Sequence, residues 1–422
     1  VDLLVVTHQH ADHINGFEKC ADLFDKINFK KAWFAWTEDE EDPVANEYRA
    51  KYSELGMALN KVVEQLTGLA ESGYYESAFA GEAAGKLMIE GKKKFIDSLS
   101  DLNAVNPTHG LPAGKPLPTM VELMRDYNVV KDDTEVEFLE PGDHRIDLPG
   151  AEGIRFYILG PPRDRSYLNR TEKDGENYEK REEKSEVDFA FLSALDATAL
   201  DSESDKLPFG SEFESQPGAA IEKRYESDGE WRKIDHDWLY SAGSLAMRYE
   251  RSINNTSLAM AIQFEDSERV LLFPADAEFG NWESWHVGLQ WPVKINGQTV
   301  KKNAEYFLNQ TVFYKVGHHL SHNGTALGKG VAMMTSTELA AMATLDFKKI
   351  QKGWLSTMPN DFLGAELIRK TKGKLFFVGD AQKILDNIKT DRVTIKKTHE
   401  AAFKKANKAF DGKIFIDYEV TG

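Results

Sequence analysis

The stretch Val1–His13, VDLLVVTHQHADH, decides the fold, since its apolar run leads directly into side chains that can bind a metal ion. Five of the first six residues are apolar, and three of these are valines. A short run of this kind is typical of a buried strand. Ligand-capable side chains in the pattern H-x-H-x-D-H then follow the strand: His8, His10, Asp12 and His13. We expect all four to converge on one small volume at the edge of a sheet.

These side chains form a donor set that suits a divalent cation. Neutral imidazoles and a carboxylate bind zinc, and also manganese or iron, without any thiolate. Three histidines and one aspartate within six residues are a specific signal in a chain with eleven histidines. The sequence therefore predicts a metal site immediately after the first strand.

Two later apolar runs also end in residues that can bind metal. The run Leu271–Pro274 leads into Asp276, whose carboxylate could bridge two cations. The run Phe313–Val316 leads into His318 and His319, either of which is a candidate ligand. Two cations need about six to eight donor groups with a shared bridge. Three strand ends of this kind therefore predict a site for two metal ions.

The order H-x-H-x-D-H, strand-Asp, strand-His resembles that of the metallo-beta-lactamase-fold hydrolases. Within that superfamily, three segments are similar to motifs of the metallo-beta-lactamase domain of ComEC competence channel proteins and of their free-standing soluble relatives. These segments are NNTSL at 254–258, VLLFPADAE at 270–278 and YKVGHHLSHNGT at 314–325. They correspond to N-x-x-S, L-L-x-x-G-D and K-V-x-H-H-G-S, and the resemblance covers roughly residues 1–325. It implies a four-layer αββα sandwich, lacking its first strands in this chain, with the site at one edge between the sheets.

The resemblance also implies a ligand set for two divalent ions, zinc or manganese. The first ion is expected at His8, His10 and Asp276. The second is expected at Asp12, His13, Asp276 and one histidine of the His318/His319 pair. A histidine that many members place before the bridging aspartate is replaced here by Asn254 and Asn255. Asn255 is therefore a possible substituted ligand, and the first site is expected to bind its ion more weakly.

The expected function is that of a metal-dependent hydrolase. A hydroxide that bridges two cations forms near neutral pH, because metal binding lowers the pKa of water to about 7. The resemblance favours phosphodiester or other phosphoester bonds as targets, as in a phosphodiesterase or nuclease. Hydrolysis of a small ester, lactone or amide is an alternative. An alternative of another class is a non-catalytic interaction protein that retains the scaffold.

The candidate catalytic residues are Asp12, which is also an expected ligand, Lys315 and His322. Lys315, His319 and His322 are the nearest candidates in the sequence to protonate a leaving group or to supply a third positive charge. A lysine that extends from a strand explains Lys315 equally well. A hydrogen bond within a loop explains His322 equally well.

Composition bears on the substrate and on the location of the protein. The 422 residues include 52 Lys and Arg against 69 Asp and Glu, a formal net charge of −17, which disfavours a nucleic acid partner. Residues 348–422 hold sixteen Lys and Arg against nine Asp and Glu, a net charge of +7, which offsets this in part. The expected partner is a small-molecule or nucleic-acid phosphoester substrate. Cys20 is the only cysteine, which indicates a reducing and thus cytoplasmic setting, unless a signal precedes Val1.

The chain is interpreted as one N-terminally truncated metallo-beta-lactamase-like hydrolase domain over residues 1–422. Its extra length is assigned to a helical stretch at about 43–102, a charged insertion at about 163–252 and the basic C-terminal part at 348–422. No apolar run is long enough to cross a membrane. After the first strand, further strands are predicted at 28–36, 136–139, 154–159, 257–264, 269–274, 311–316, 374–378 and 413–418.

Overall fold

The computed structural model describes residues 1–71, 117–145, 150–170, 172–178, 253–345, 347, 358–390, 392–410 and 415–421. The chain forms two compact units. The first comprises residues 1–49, 118–183 and 251–422, and the second comprises residues 50–117 and 184–250. All the residues of the candidate site belong to the first unit. The assignment of residues 1–422 to a single hydrolase domain stays a prediction.

Strands and helices alternate along the described parts of the chain. The strands are β1 (Leu3–Val5), β2 (Lys31–Ala35), β3 (Glu135–Leu139), β4 (His144–Arg145), β5 (Ile154–Ile158), β6 (Met260–Phe264), β7 (Val270–Phe273), β8 (Trp291–Ile295), β9 (Gln298–Lys302), β10 (Thr311–Lys315), β11 (Ala340–Met342) and β12 (Leu375–Phe376). The α-helices are α1 (Ala11–Lys19), α2 (Ala21–Phe24), α3 (Pro43–Glu71), α4 (Met120–Asp126), α5 (Arg165–Leu168), α6 (Phe279–Ser284), α7 (Ala304–Asn309), α8 (Asp361–Lys370), α9 (Ala381–Ile388) and α10 (Lys397–Lys408). Short 3₁₀ turns occur at Trp36–Glu38, His318–Leu320 and Val331–Met333.

The strands form two sheets and one separate hairpin. A three-stranded parallel sheet has the order β1-β2-β3. A seven-stranded mixed sheet has the order β12-β11-β10-β7-β6-β5-β4, in which β12, β11, β10 and β7 are parallel and the remaining pairs are antiparallel. Strands β8 and β9 pair as an antiparallel hairpin. The chain is thus a mixed α/β protein, which confirms the class that the sequence indicates.

Side chains of β2 and β5 alternate between different apolar clusters, as the two-residue period of a strand requires. Ala32 and Phe34 of β2 pack with residues of α1 and α4, whereas Trp33 packs with residues of the seven-stranded sheet. The Trp33 and Phe156 rings meet edge to face, with their centroids 5.1 Å apart. Tyr157 of β5 joins the cluster that the helices after β7 form on the other side of that sheet. Residues of the two sheets therefore share one apolar cluster, and residues of helices join the other two.

Local signals explain where several helices begin. Thr119 and Glu122 form a capping box at the start of α4, in which each side chain accepts a hydrogen bond from the other residue's backbone N–H. Pro43 occupies the first position of α3, and the Asp42 carboxylate accepts hydrogen bonds from the next two amides. Among the described residues, no helix combines the length and the apolar character that crossing a bilayer requires.

Most predicted strands are present, but one prediction is wrong in part, and the observed strands β4, β8, β9 and β11 were not predicted. Residues 415–418 are not in a strand, so the prediction for 413–418 is wrong over that part, and the rest of that range lies outside the described residues. The β8–β9 hairpin was not predicted, although its turn, Asn296-Gly297, is a sequence typical of hairpins. The helix that begins at Pro43 is present to Glu71, and the remainder of the predicted helical stretch lies outside the described residues, as does most of the 163–252 insertion.

Candidate metal centre

The first motif lies where the chain passes from β1 into α1. Thr7 continues the strand, and its carbonyl accepts a hydrogen bond from Leu258 N–H at 2.9 Å. His10 has an extended backbone and immediately precedes α1, so Asp12 and His13 lie in the first turn of that helix. The change from strand to helix therefore turns the later side chains of the motif towards the earlier ones.

Asp276 follows β7 in a turn that fixes its backbone and its carboxylate. The Asp276 N–H donates to Ser257 Oγ at 3.1 Å. Its Oδ1 accepts a hydrogen bond from the backbone N–H of His318 at 3.0 Å. Its Oδ2 lies 3.1 Å from His13 Nε2. Only 4% of Asp276 is exposed, so this carboxylate is held in one orientation inside the protein.

A left-handed turn after β10 places the third group of candidate ligands. His318, His319 and Leu320 have φ values of 45°, 49° and 64°. This conformation is unfavourable for residues with a Cβ atom, and three in succession are rare. The turn brings His319 Nε2 to 2.8 Å from Asp12 Oδ2, while His319 Nδ1 donates to the Thr344 carbonyl at 2.9 Å.

These elements bring together two clusters of ligand atoms that share Asp276. The atoms in each cluster lie within 4.8 Å of one another. The first cluster consists of His8, His10 and Asp276, and the second consists of Asp12, His13, Asp276 and His319. The rings of His8 and His13, which belong to different clusters, have centroids 4.1 Å apart, so the clusters are adjacent.

The residues of the first cluster fit a divalent cation. His8 is fully buried, and its Nε2 atom has no hydrogen-bond partner among the described residues. That nitrogen lies 3.8 Å from Asp276 Oδ2. A buried polar atom without a partner is costly, and coordination of a cation would satisfy it. Imidazole and carboxylate donors of this kind suit zinc or manganese.

Burial keeps the histidines of the first cluster neutral, which is the protonation state that binds metal. It lowers the pKa of His8 well below its ordinary value, and the charge of His13 adds to the effect. It lowers the pKa of His10 to about 4. For Asp276 burial acts in the opposite direction, but the charge of His13 and its hydrogen bond outweigh it, so the pKa stays well below its ordinary value.

Neighbouring carboxylates raise the pKa values of the two histidines in the second cluster. Burial would lower the pKa of His319, but the hydrogen bond to Asp12 and the charge of Asp276 raise it to about 9. Burial would also lower the pKa of His13, and the charge of Asp276 again gives a net increase. Burial raises the pKa of Asp12, but the hydrogen bond to His319 reverses the direction and lowers it.

His318 belongs to a buried hydrogen-bond network instead of either cluster. Its Nδ1 lies 2.9 Å from Ser321 Oγ, and Asn254 Nδ2 lies 3.3 Å from its Nε2. Asn254 Nδ2 also donates to Glu278 Oε1 at 3.1 Å. Burial lowers the pKa of His318 to about 4. Of the His318/His319 pair, His319 thus belongs to a donor cluster and His318 does not.

Asn255, the possible substituted ligand, lies outside both clusters. Its Nδ2 donates to the carbonyls of Leu168 at 3.0 Å and Arg170 at 3.1 Å. Its Oδ1 accepts a hydrogen bond from Glu278 N–H at 3.1 Å. The side chain therefore joins segments of backbone.

Lys315 and His322 make different contacts. Lys315 Nζ donates to Thr344 Oγ1 at 3.0 Å, and Thr344 is also the residue whose carbonyl binds His319. Burial lowers the pKa of Lys315, and the charge of Asp276 opposes that shift. His322 is buried, and its Nε2 lies 3.1 Å from Glu172 Oε1.

Several supporting residues were not identified from the sequence. Gln9, between the first two histidines, donates to Glu38 Oε2 at 2.9 Å and to the Pro118 carbonyl at 3.0 Å. Glu38 also accepts a hydrogen bond from Met120 N–H at 2.8 Å. No local pattern signals these contacts. Ser257, by contrast, falls within the N-x-x-S motif that carries part of the resemblance.

Comparison of the chain with family models, curated proteins and solved structures finds no match in any of the three.

Proposed function

We propose that the chain is a metal-dependent hydrolase of the metallo-beta-lactamase type that cleaves phosphodiester or other phosphoester bonds. The observation that carries this proposal is the position of Asp276 in both donor clusters. A carboxylate shared between two clusters of imidazoles and carboxylates is the donor arrangement of a two-metal hydrolytic site. The packing of two sheets between helices supports the four-layer αββα sandwich that belongs to the same proposal.

In this proposal the first cation is held by His8, His10 and Asp276, and the second by Asp12, His13, Asp276 and His319. Two bound divalent cations supply a nucleophile near neutral pH and neutralise charge on the phosphoryl group. The chain fixes the donors for this purpose. Ser257 and the backbone of His318 hold Asp276, and the Thr344 carbonyl holds the His319 ring through Nδ1–H. Such supporting contacts set the orientation and the basicity of ligands.

Lys315 is the proposed source of additional positive charge. It extends from the end of β10 and contacts Thr344, which also binds the ligand His319. A cation there would stabilise the negative charge that develops on a phosphoryl oxygen or a leaving group. Asp12 Oδ2 pairs with His319 Nε2 in the absence of a cation, and both atoms would bind the second cation instead of each other.

The test is hydrolysis of bis-p-nitrophenyl phosphate, single-stranded DNA and a panel of esters and lactones by the full chain with Zn²⁺ or Mn²⁺. We expect phosphodiester cleavage that falls at least about 100-fold in Asp276→Ala, because both clusters lose a donor. Asp266→Ala, in the exposed turn between β6 and β7, is the matched control and should retain full activity. Cleavage that survives Asp276→Ala, or a protein active only on the esters and lactones, would contradict the proposal.

A further inference from the structure

A groove in the C-terminal part of the chain lies outside the metal centre. It is formed by α8, by the segment 393–396 and by the start of α10, and its volume is about 440 Å³. No residue of the two donor clusters lines it. Small-molecule sites occupy roughly 300–1,000 Å³, so the groove is large enough for a small ligand.

The floor and the rim of the groove differ in chemistry. Phe362, Ala365 and Ile395 supply apolar surface and are only partly buried, so they are accessible to a ligand. Lys396 and His399 stand at the rim. Neither of these two side chains has a hydrogen bond or an ion pair within the part of the chain that the structure describes.

The other charged groups at or near the groove have partners. Glu366 accepts hydrogen bonds from Arg369 at 2.7 and 2.5 Å, so its negative charge is neutralised by that pair. Arg392 lies with its guanidinium 4.7 Å from the centroid of the Phe362 ring. Glu400, in the first turn of α10, is paired with Lys389 and Lys404. Among the lining residues, Lys396 is therefore the charged side chain without a partner in the described part of the chain, so this end of the groove is positive although the whole chain carries −17.

The start of α10 adds backbone donors to the same rim. Lys396 immediately precedes this twelve-residue helix, and no side chain caps its first turn. The first amides of a helix have no partner within the helix and attract anions. A lysine, a histidine and helix amides beside an aromatic side chain match a ligand that joins a phosphate to a planar ring.

We propose that this groove binds a nucleoside monophosphate, with the phosphate at Lys396 and His399 and the planar base against Phe362. The site is separate from the metal centre and does not depend on its proposed activity. The groove is too small for a macromolecule, and its single cationic end fits one phosphate group.

The experiment is calorimetric titration of the full chain, in low salt at about pH 7, with AMP, inorganic phosphate, adenosine and a hexathymidylate strand. We expect AMP to bind at least about tenfold more tightly than either phosphate or adenosine, because it uses both the rim and the floor. Lys396→Glu should weaken AMP binding at least about tenfold, since it reverses a charge at the phosphate position. Lys405→Glu, on the exposed side of the same helix, is the matched control and should leave AMP binding unchanged.

Three outcomes would overturn the proposal. One is equal binding of phosphate and AMP, which would mean that the floor contributes nothing. Another is an equal effect of Lys396→Glu and Lys405→Glu, which would place AMP elsewhere, including at the metal centre. The third is binding of the strand without binding of AMP. Hydrolysis of bis-p-nitrophenyl phosphate by Lys396→Glu should match that of the unmodified chain, so the two proposals fail or succeed separately.

Discussion

The Asp276 carboxylate contacts donors on both sides of the metal centre while its own backbone is fixed by Ser257. Asp12, by contrast, belongs to the second cluster alone. Substitution of Asp276 therefore removes a donor from both clusters, whereas substitution of Asp12 removes a donor from the second alone. The two aspartates are thus suited to a comparison of metal content.

We expect about two ions per chain in the unmodified protein, about one in Asp12→Asn and fewer than one in Asp276→Asn, because metal sites need their full set of ionised ligands. Asparagine retains the shape of the side chain and loses the charge. Elemental analysis after dialysis measures the content, with Asp266→Asn as the surface control. Equal losses in the two variants would show that Asp276 is not shared.

Proton release should distinguish the two clusters. At about pH 7, His319 is protonated in the metal-free protein because its pKa is about 9, whereas His10 is neutral because its pKa is about 4. Binding at the second cluster must displace protons, so its affinity should rise with pH until about pH 9. Binding at the first cluster should be independent of pH between about 6 and 9, since its histidines have no proton to lose.

Calorimetry in two buffers of different ionisation enthalpy counts these protons directly. The unmodified chain should release at least one proton at about pH 7. Asp12→Asn, which retains the first cluster, should bind its remaining ion with almost no release. An equal proton count in the two proteins would refute the assignment of the released protons to the second cluster.

The raised pKa of His319 also stabilises the metal-free fold most below about pH 6.5, and that stabilisation is lost as the pH rises through about 9.

Among the elements, the left-handed turn after β10 shows how packing overrides backbone preference. Leu320 has a φ of 64°, yet its side chain is fully buried in the main core. The ComEC-type motif that this segment resembles has glycine at the corresponding position, which would relieve the strain and remove the buried side chain. The two effects on the free energy of unfolding have opposite signs, so their magnitudes decide whether glycine at this position stabilises or destabilises the protein.

Leu320→Gly should destabilise the protein by about 2 kcal/mol. Loss of a buried leucine side chain costs about 2–5 kcal/mol, whereas relief of a left-handed backbone returns about 1 kcal/mol. Leu320→Ala, which loses the packing and retains the strain, should cost about 1 kcal/mol more than the glycine variant. Urea denaturation with a matched slope for all three proteins measures this. A glycine variant more stable than the unmodified chain would show that strain dominates.

The elements also show which features of the fold and of the candidate site could be predicted from the sequence. H-x-H-x-D-H and the strand-Asp run are local patterns, and the mixed α/β class and most strands follow from patterns of the same kind. The choice between His318 and His319 does not, because it depends on three consecutive left-handed residues that neither histidine nor leucine favours. The contacts of Asn255 likewise depend on Leu168 and Arg170, which are more than 80 positions away in the chain.

At the scale of the whole molecule, net charge bears on which phosphodiester the proposed hydrolase would accept. The chain carries a formal charge of −17, and a polyanionic strand approaching it is repelled. Most nucleases lose affinity as salt increases, because Lys and Arg contacts to phosphate are screened. Here, screening should instead weaken a repulsion.

We therefore expect kcat/KM for single-stranded DNA to rise when salt increases from about 20 to about 200 mM, since the Debye length falls to less than 10 Å over that range. The value for bis-p-nitrophenyl phosphate, which carries one charge, should change much less. Steady-state kinetics on both substrates at matched pH provides the comparison. A steep decrease for DNA would indicate a basic binding surface close to the metal centre.

The positions of the ligands along the chain have a consequence for biosynthesis. The contact between Asp12 and His319 joins residues 307 positions apart, and that between His13 and Asp276 joins residues 263 positions apart. Contacts of such separation form only after large loops have closed. A ribosome-bound chain that has emerged only as far as the first motif holds four ligand-capable residues but lacks Asp276 and His319. The two donor clusters are therefore complete only in a chain that has been synthesised beyond His319 and has folded, and a bound cation would mark that state.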